Sequence, residues 1–188
     1  MNGVSRLQAI IRDEPLRWRI LGLVRALRLP DGWIGAGFVR NALWDTLHGR
    51  VSSPLSRDVD VLWFDATQAE AAADRTIEAR LRLTDPSVSW SVKNQARMHR
   101  RNGDAPYGSV TDAMRFWPET TTAVAVRRTD RDECEVAAPY GLDDLFGLIL
   151  RPTPRFADAE GRISLAARAR TKGWLTTWPL LRVPDQPP

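Results

Sequence analysis

Hydrophobic residues recur at helical intervals early in the chain. The apolar positions that share one predicted helical face are Leu16, Ile20, Leu23 and Leu27. This spacing predicts an amphipathic helix, which the turn residues 30–32 (Pro-Asp-Gly) end. Residues 33–34 (Trp-Ile) predict a short strand, and the glycine turn 35–37 leads into a second helical pattern at Val39, Leu43 and Leu47. The order is therefore helix, strand, glycine turn and helix.

Residues 58–64 (Asp-Val-Asp-Val-Leu-Trp-Phe) predict a second strand, because β-branched and aromatic residues favour extended backbone. Alternate residues of a strand share one face of the sheet. Asp58 and Asp60 are therefore predicted to point the same way. Val59, Val61 and Trp63 are predicted to lie on the other side.

The rest of the chain is predicted to alternate helices and strands. Thr67 and Glu70 have the spacing of a capping box, which begins a helix with apolar positions at Ala73, Ile77 and Leu81. After it we expect a strand over 87–94, a basic helix over 95–101, a short helix from Ser109, a hairpin of 121–128 and 135–138, and helices over 143–150 and 161–178. This pattern predicts an α/β or α+β sheet domain. We expect one domain over residues 1–183 and a disordered tail over 184–188.

Composition sets bounds on the function. The chain has 188 residues, 43% hydrophobic and 27% charged, which is typical of one soluble domain. Its net charge of +4 favours anionic partners such as nucleotides or RNA only mildly. The single cysteine, Cys134, cannot form an internal disulfide, and two histidines with one cysteine provide no zinc set. Because no apolar stretch is long enough to span a bilayer, we expect a cytoplasmic protein without a membrane partner.

The aspartate pair indicates chemistry. Like charges on one strand face repel each other unless a cation compensates them, and a divalent metal is the usual cation. Asp58 and Asp60 lie about twenty residues after a glycine turn whose backbone N–H groups can approach a triphosphate. Carboxylates can hold Mg²⁺ against the phosphate oxygens. This arrangement suits phosphoryl or nucleotidyl transfer, which needs positioning and charge neutralisation.

The glycine turn, the helix and the strand with an Asp-x-Asp pattern resemble the signature of the DNA polymerase beta-like nucleotidyltransferase superfamily. Further blocks resemble a bacterial family of stand-alone nucleotidyltransferase-like proteins within it: residues 92–99 (VKNQARMH), 117–120 (WPET), 138–146 (APYGLDDLF) and 178–180 (WPL). The resemblance covers about residues 29–183. It implies that fold, with a central mixed sheet flanked by helices, and Mg²⁺- or Mn²⁺-dependent nucleotidyl transfer.

The resemblance also implies roles for particular residues. Asp58 and Asp60 would bind the metal and carry catalysis. The nucleotide-binding residues would be Gly35, Ala36, Gly37, Arg40 and Lys93. The superfamily takes a third carboxylate from the next central strand, where this chain has Ser91. Glu119 and Glu135 are the candidates to replace it.

Each of these residues also has a structural interpretation. Asp58 could begin a strand while Asp60 pairs with Arg57 or Arg40, and glycines are the default residues of any sharp turn. Lys93, Asn94, Arg97 and His99 could contact a triphosphate, contact an RNA backbone, or form a solvated basic face. Arg168, Arg170 and Lys172 predict a solvated helix face, with RNA contact as the alternative. Trp63 and Trp90 are candidates for base stacking, with core packing the simpler interpretation.

The sequence therefore predicts a metal-dependent enzyme that moves a nucleotidyl group from an NTP to a hydroxyl acceptor. The acceptor is a protein side chain, a small molecule or an RNA end, of which the last is slightly disfavoured. One alternative is a catalytically degenerate protein that binds a nucleotide or a partner, as Ser91 would allow. Another is an RNA-binding module that uses Lys93, Arg97, Arg100 and Arg101.

Overall fold

The chain begins with two helices packed beneath the sheet. The computed structural model describes residues 2–51, 53–55 and 58–184. Helix α1 (Gly3–Arg12), which the sequence analysis did not predict, is capped by Asn2, whose side chain accepts a hydrogen bond from the Ser5 amide. Helix α2 (Pro15–Ala26) was predicted, but its buried face is Arg17, Ile20, Leu21 and Val24. The buried face of α2 is rotated by about one residue from the predicted face. Arg17 is buried where Leu16 was expected to be.

The central strands and the glycine turn form as predicted. Strand β1 (Trp33–Gly35) leads through the turn into helix α3 (Gly37–Leu47), and strand β2 (Val59–Trp63) follows after a loop. Helix α4 (Ala71–Thr84) comes next. The predicted capping box is wrong, because the Asp65 side chain caps a 3₁₀ turn by accepting from the Thr67 amide, and α4 begins after it.

The later elements are shorter than predicted. They are β3 (Trp90–Asn94), α5 (Met98–Asn102), α6 (Val110–Met114), β4 (Ala125–Arg128), β5 (Cys134–Ala137), α7 (Asp143–Phe146), α8 (Ala159–Thr171) and α9 (Trp174–Thr177). The single helix expected over 161–178 is divided at Gly173, whose φ of +64° a right-handed helix does not allow. The predicted β4–β5 hairpin is confirmed.

Within the described residues, one sheet has the strand order β3-β2-β1-β4-β5. Strands β2 and β3 are parallel and the other neighbours are antiparallel, so the sheet is mixed. In this register Asp60 lies between Gly35 of β1 and Ser91 of β3. The predicted mixed sheet flanked by helices is confirmed.

The two faces of the sheet carry different cores. Val59, Val61 and Trp63 belong to the larger core, which also takes side chains from α1 to α4. Leu62 belongs to a smaller core on the opposite face, covered by α6. No helix in the described part of the chain has both the length and the apolar character needed to cross a membrane. Of the predicted disordered tail, residues 185–188 lie outside the described residues.

Candidate functional site

The predicted aspartate pair opens into a cavity of about 480 Å³. One side is formed by Asp58, Asp60 and the first turn of α3, and the opposite side by α8 and α9. The residues that line it are Ala36, Gly37, Arg40, Asn41, Asp58, Asp60, Thr122, Arg168, Thr171, Lys172, Trp174, Thr177 and Trp178. Segments more than a hundred residues apart in the sequence thus meet around one volume.

Asp58 and Asp60 line the same cavity, as the strand alternation predicted. Asp58 precedes β2, and its Oδ1 accepts a hydrogen bond of 2.9 Å from the Ser89 hydroxyl. Burial raises the pKa of Asp60, and the charge of Asp58 acts in the same direction. The Ser91 hydroxyl, which donates to the Asp60 carboxylate, and the cations Arg40 and Lys93 lower it. The predicted alternative partner Arg57 lies outside the described residues.

The glycine turn contributes to the cavity through Ala36 and Gly37. Ala36 has φ 54° and ψ −125°, a conformation that favours glycine, and its amide donates to the Val124 carbonyl at 3.0 Å. The first amides of α3 have no helical partner, so this end of the helix favours an anion. Gly35 lies outside the lining: a Cβ there would stand 2.8 Å from Leu62 Cδ1 and 3.2 Å from the Val124 carbonyl oxygen.

Arg40 is buried in the wall of the cavity, with 6% of its surface exposed. Its Nη1 donates to Thr122 Oγ1 at 2.7 Å, and its guanidinium lies 4.3 Å from the centre of the Trp174 ring. Burial lowers the pKa of Arg40 to about 10, although the charges of Glu119 and Asp60 raise it. The side chain is therefore a fixed cation at neutral pH, in electrostatic contact with Asp60.

The far wall of the cavity is basic. Arg168 and Lys172 line the cavity, whereas Arg170 is exposed outside it. The prediction of a solvated basic face holds for Arg170 and Lys172, which are exposed, although Lys172 also lines the cavity. It is wrong for Arg168, which is partly buried beside Glu119. Nothing local in the sequence shows this packing. Trp174 and Trp178 are both buried in the same wall, where they contact Trp44 edge-to-face.

Of the two candidates for a third carboxylate, Glu119 is near the site and Glu135 is not. Glu119 is fully buried, its Oε1 lies 2.7 Å from Arg168 Nε, and its charge acts on Arg40. Glu135 pairs with Arg127 on the β4–β5 hairpin, away from the cavity. The only acidic side chains of the lining itself, in the part of the chain that is described, are Asp58 and Asp60.

A buried arginine binds Ser53, which lies in the loop after α3. Arg17 Nε donates to the Phe38 carbonyl at 3.0 Å, and Nη1 donates to the Ser53 carbonyl at 2.7 Å. Asp45 Oδ2 accepts from the Ser53 hydroxyl, and Asp45 Oδ1 accepts from Trp178 Nε1, each at 2.7 Å. The loop and the Trp178 wall are thus tied to α3. Sequence analysis missed this network, because Arg17 and Asp45 follow no motif.

The remaining predicted contacts lie elsewhere. Lys93 shares a sheet face with Asp60 but lies outside the lining, and Arg97 Nε donates to the buried Asp74 at 3.0 Å. His99 packs edge-to-face against Tyr107, 6.0 Å between ring centres. Trp63 and Trp90 are both buried in the core, so base stacking by either is excluded.

A divalent cation suits this donor set in part. Asp58 and Asp60 supply two hard oxygen ligands on one side, and a cation between them would offset the burial and the repulsion by Asp58 that raise the pKa of Asp60. No group of three or more His, Cys, Asp or Glu side chains positioned to hold a metal occurs among the described residues. Ser91 places a hydroxyl where a further carboxylate would complete such a group.

A mixed sheet with an Asp-x-Asp strand facing a helix N-terminus is the arrangement of a nucleotide-transferring domain. The comparison with known families agrees: the sequence profile described as "Nucleotidyltransferase" matches residues 22–183. The chain belongs to this nucleotidyltransferase family. Among proteins of curated function, none matches it.

Solved structures share the fold. A protein whose NMR structure is described as revealing a CCA-adding enzyme head domain is 33% identical, with a TM-score of 0.82 over 97% of this chain and 96% of that one. A CCA-adding enzyme solved with CTP is 14% identical, with a TM-score of 0.58 over 98% of this chain and 44% of its own. The Thermotoga maritima CCA-adding enzyme solved with tRNA is 14% identical, with a TM-score of 0.58 over 98% of this chain and 43% of its own. The chain thus spans less than half the length of these two enzymes.

Proposed function

We propose that this protein transfers a nucleotidyl group from an NTP to a hydroxyl acceptor, with Mg²⁺ or Mn²⁺ held by Asp58 and Asp60. The observation that supports this most is the meeting of the two carboxylates and the first turn of α3 in one cavity. When bound, a divalent cation would neutralise charge on the triphosphate and on the leaving pyrophosphate. The N-terminus of α3 would hold the phosphates through backbone amides.

In the transfer, the acceptor oxygen forms a new bond to the α-phosphorus while the bond between that phosphorus and the bridging oxygen breaks. Pyrophosphate carries away the electron pair of the broken bond, and the acceptor hydroxyl gives up its proton to water. Arg40 stays charged and fixed beside Asp60, so it can stabilise the negative charge that develops there without rearranging. The structural relatives solved with CTP and tRNA make an RNA end one acceptor to test beside protein and small-molecule hydroxyls.

The test is titration calorimetry with each of the four NTPs, with and without Mg²⁺. We expect at least one NTP to bind only with Mg²⁺, and the double variant Asp58→Asn/Asp60→Asn to lose that binding. Asp13→Asn, which removes an exposed carboxylate outside the cavity, should leave it unchanged. Binding that ignores both the metal and the double substitution contradicts the proposed site.

A second candidate function follows from Ser91. The hydroxyl that donates to Asp60 cannot serve as a carboxylate ligand or as a strong general base. A protein with this site could bind nucleotide without turning it over. Incubation with α-³²P-labelled NTP, Mg²⁺ and acceptor pools of protein, metabolites or tRNA separates the two functions. Labelled acceptor shows transfer, whereas metal-dependent binding without labelled acceptor or pyrophosphate release favours the binding protein.

A further inference from the structure

The wall formed by α8 and α9 carries positive charge that the two aspartates proposed to bind the metal do not account for. Arg168 and Lys172 are four residues apart, so they lie on one helical face, one turn from each other. Both line the cavity opposite Asp60, whereas Arg170 points away from it. Lys172 makes no ion pair with any described residue. This face of α8 therefore presents two cations to the cavity.

Arg168 is held in one orientation. On one side, the buried Glu119 carboxylate lies 2.7 Å from its Nε. On another, the Trp174 ring centre lies 5.6 Å from the guanidinium carbon. The guanidinium makes no hydrogen bond to the described residues, so its terminal N–H groups remain free to donate. An arginine paired with a carboxylate on this side can turn its terminal N–H groups toward two phosphate oxygens.

The buried charge of Glu119 is compensated by the cations around it, Arg168 and Arg40. A carboxylate buried without hydrogen-bond donors is costly unless cations surround it, and its charge acts on both Arg168 and Arg40. The same ion pair restrains Arg168, because the Glu119 carboxylate is itself buried and cannot move freely. Glu119 is therefore a positioning residue and not a metal ligand.

The two cations of α8 change the sign of the net charge that the protein itself presents to a polyanion. The Asp58, Asp60 and Glu119 carboxylates outnumber Arg40 and Lys93, which leaves about −1. Adding the two cations of α8 makes the same group about +1. A nucleotide triphosphate, which enters with its divalent cation, is therefore attracted more strongly when Arg168 and Lys172 are present.

We propose that Arg168, positioned by Glu119, binds the polyphosphate of the nucleotide together with Lys172, from the α8 side of the cavity. This assignment rests on the proposed nucleotidyl-transfer function. A long RNA backbone is less suited to the site, because Arg168 and Lys172 share the cavity with the Asp58 and Asp60 carboxylates.

The test measures binding of the four NTPs, the matching monophosphates and inorganic triphosphate in Mg²⁺ by calorimetry. We expect Arg168→Gln to weaken binding of NTP and inorganic triphosphate about tenfold to hundredfold, as the loss of a hydrogen bond between charged groups does. Monophosphate binding should change less than about threefold. Lys172→Gln should weaken NTP binding less than Arg168→Gln, and Arg170→Gln, on the same helix, should leave it unchanged. Equal effects of Arg168→Gln and Arg170→Gln overturn the assignment.

The role of Glu119 needs a measurement that general instability does not mimic. Glu119→Gln should weaken NTP binding more than monophosphate binding, and the double variant with Arg168→Gln should be no weaker than Arg168→Gln alone. If Glu119→Gln fails to fold, Glu119→Asp, which keeps the charge but shortens its reach, replaces it with the same expectation. Additive losses, or equal losses for NTP and monophosphate, overturn the positioning role.

The two proposals fail differently. If Asp58→Asn/Asp60→Asn abolishes metal-dependent NTP binding while Arg168→Gln leaves it intact, the α8 assignment is wrong and the proposed function stands. If the unaltered protein binds no NTP and no inorganic triphosphate, both are wrong.

Discussion

Gly35 tests whether the glycine turn serves packing or nucleotide contact. A Cβ at Gly35 would stand 2.8 Å from Leu62 Cδ1, 3.2 Å from the Val124 carbonyl oxygen and 3.4 Å from Trp117. The leucine can move, but the carbonyl belongs to the backbone and accepts the Ala36 amide at 3.0 Å. Overpacking of this kind costs about 1–3 kcal/mol, so we expect Gly35→Ala to destabilise the protein by about 2 kcal/mol.

For a chain of this length, that loss lowers the melting temperature by roughly 4–8 °C. Urea titration followed by circular dichroism gives the free energy of unfolding, and calorimetry gives NTP affinity at a temperature where both forms are folded. Adding Leu62→Val removes a methylene from the crowded contact, so the double variant should lose less stability than the sum of the two single variants.

Gly22 provides a control, because an alanine there should raise the free energy of unfolding instead of lowering it. It lies inside α2, and a Cβ there would meet only the flexible end of Arg128, at 3.1 Å. Gly22→Ala should therefore stabilise the protein by about 0.5–1 kcal/mol through helix propensity. The packing interpretation of Gly35 is refuted if Gly35→Ala retains full stability while losing NTP binding, since that result would place the glycine against the nucleotide.

Three further predictions concern buried polar groups. Trp178→Phe removes the 2.7 Å hydrogen bond to Asp45 and should lower the free energy of unfolding by about 2 kcal/mol in urea titration; an unchanged midpoint contradicts it. Arg17→Lys cannot replace all its bonds to Phe38 and Ser53 and should cost about 2 kcal/mol, with faster proteolysis of the loop after α3 than in the unaltered protein. Burial raises the pKa of Cys134 to about 11, so its thiol should react slowly with Ellman's reagent at pH 8 and rapidly once unfolded.

The same shift has a consequence for stability. An unfolded thiol ionises near its ordinary pKa of 9.0, whereas the folded thiol keeps its proton to about 11. The unfolded state therefore binds fewer protons in that range, and stability should fall as the pH rises from about 9 to 11. Cys134→Ser should flatten this part of the curve, and an identical pH profile in both proteins contradicts the assignment.

Local pattern was sufficient for the centre of the fold. The strand, the glycine turn and the helix from Gly37 follow from neighbouring residues, and the alternation over 58–64 placed the two aspartates on one side. Local signals also exist for the first helix and for the break between α8 and α9. Asn2 is a helix N-cap residue, and Gly173 has the positive φ that commonly ends a helix.

No local sequence pattern could predict the cavity wall that α8 and α9 form. Glu119 and Arg168 are far apart in the sequence, and their contact depends on where α8 packs in the fold. The same holds for Arg17, whose burial is possible only because Phe38 and Ser53 supply acceptors. Polar residues that are buried with distant partners look like surface residues in a sequence, because periodicity assigns charged side chains to the solvent side.

The edge-to-face tryptophans also allow the position of the cavity wall to be followed by circular dichroism, with no added label. Trp44 on α3 lies 5.8 Å from Trp174 and 5.1 Å from Trp178, between ring centres. Indoles this close and this steeply inclined couple their electronic transitions, which gives a paired signal in the near-ultraviolet circular dichroism spectrum. The sign and size of that signal depend on the angle between the rings. A small displacement of the wall against α3 would thus be recorded as an optical change in the native protein.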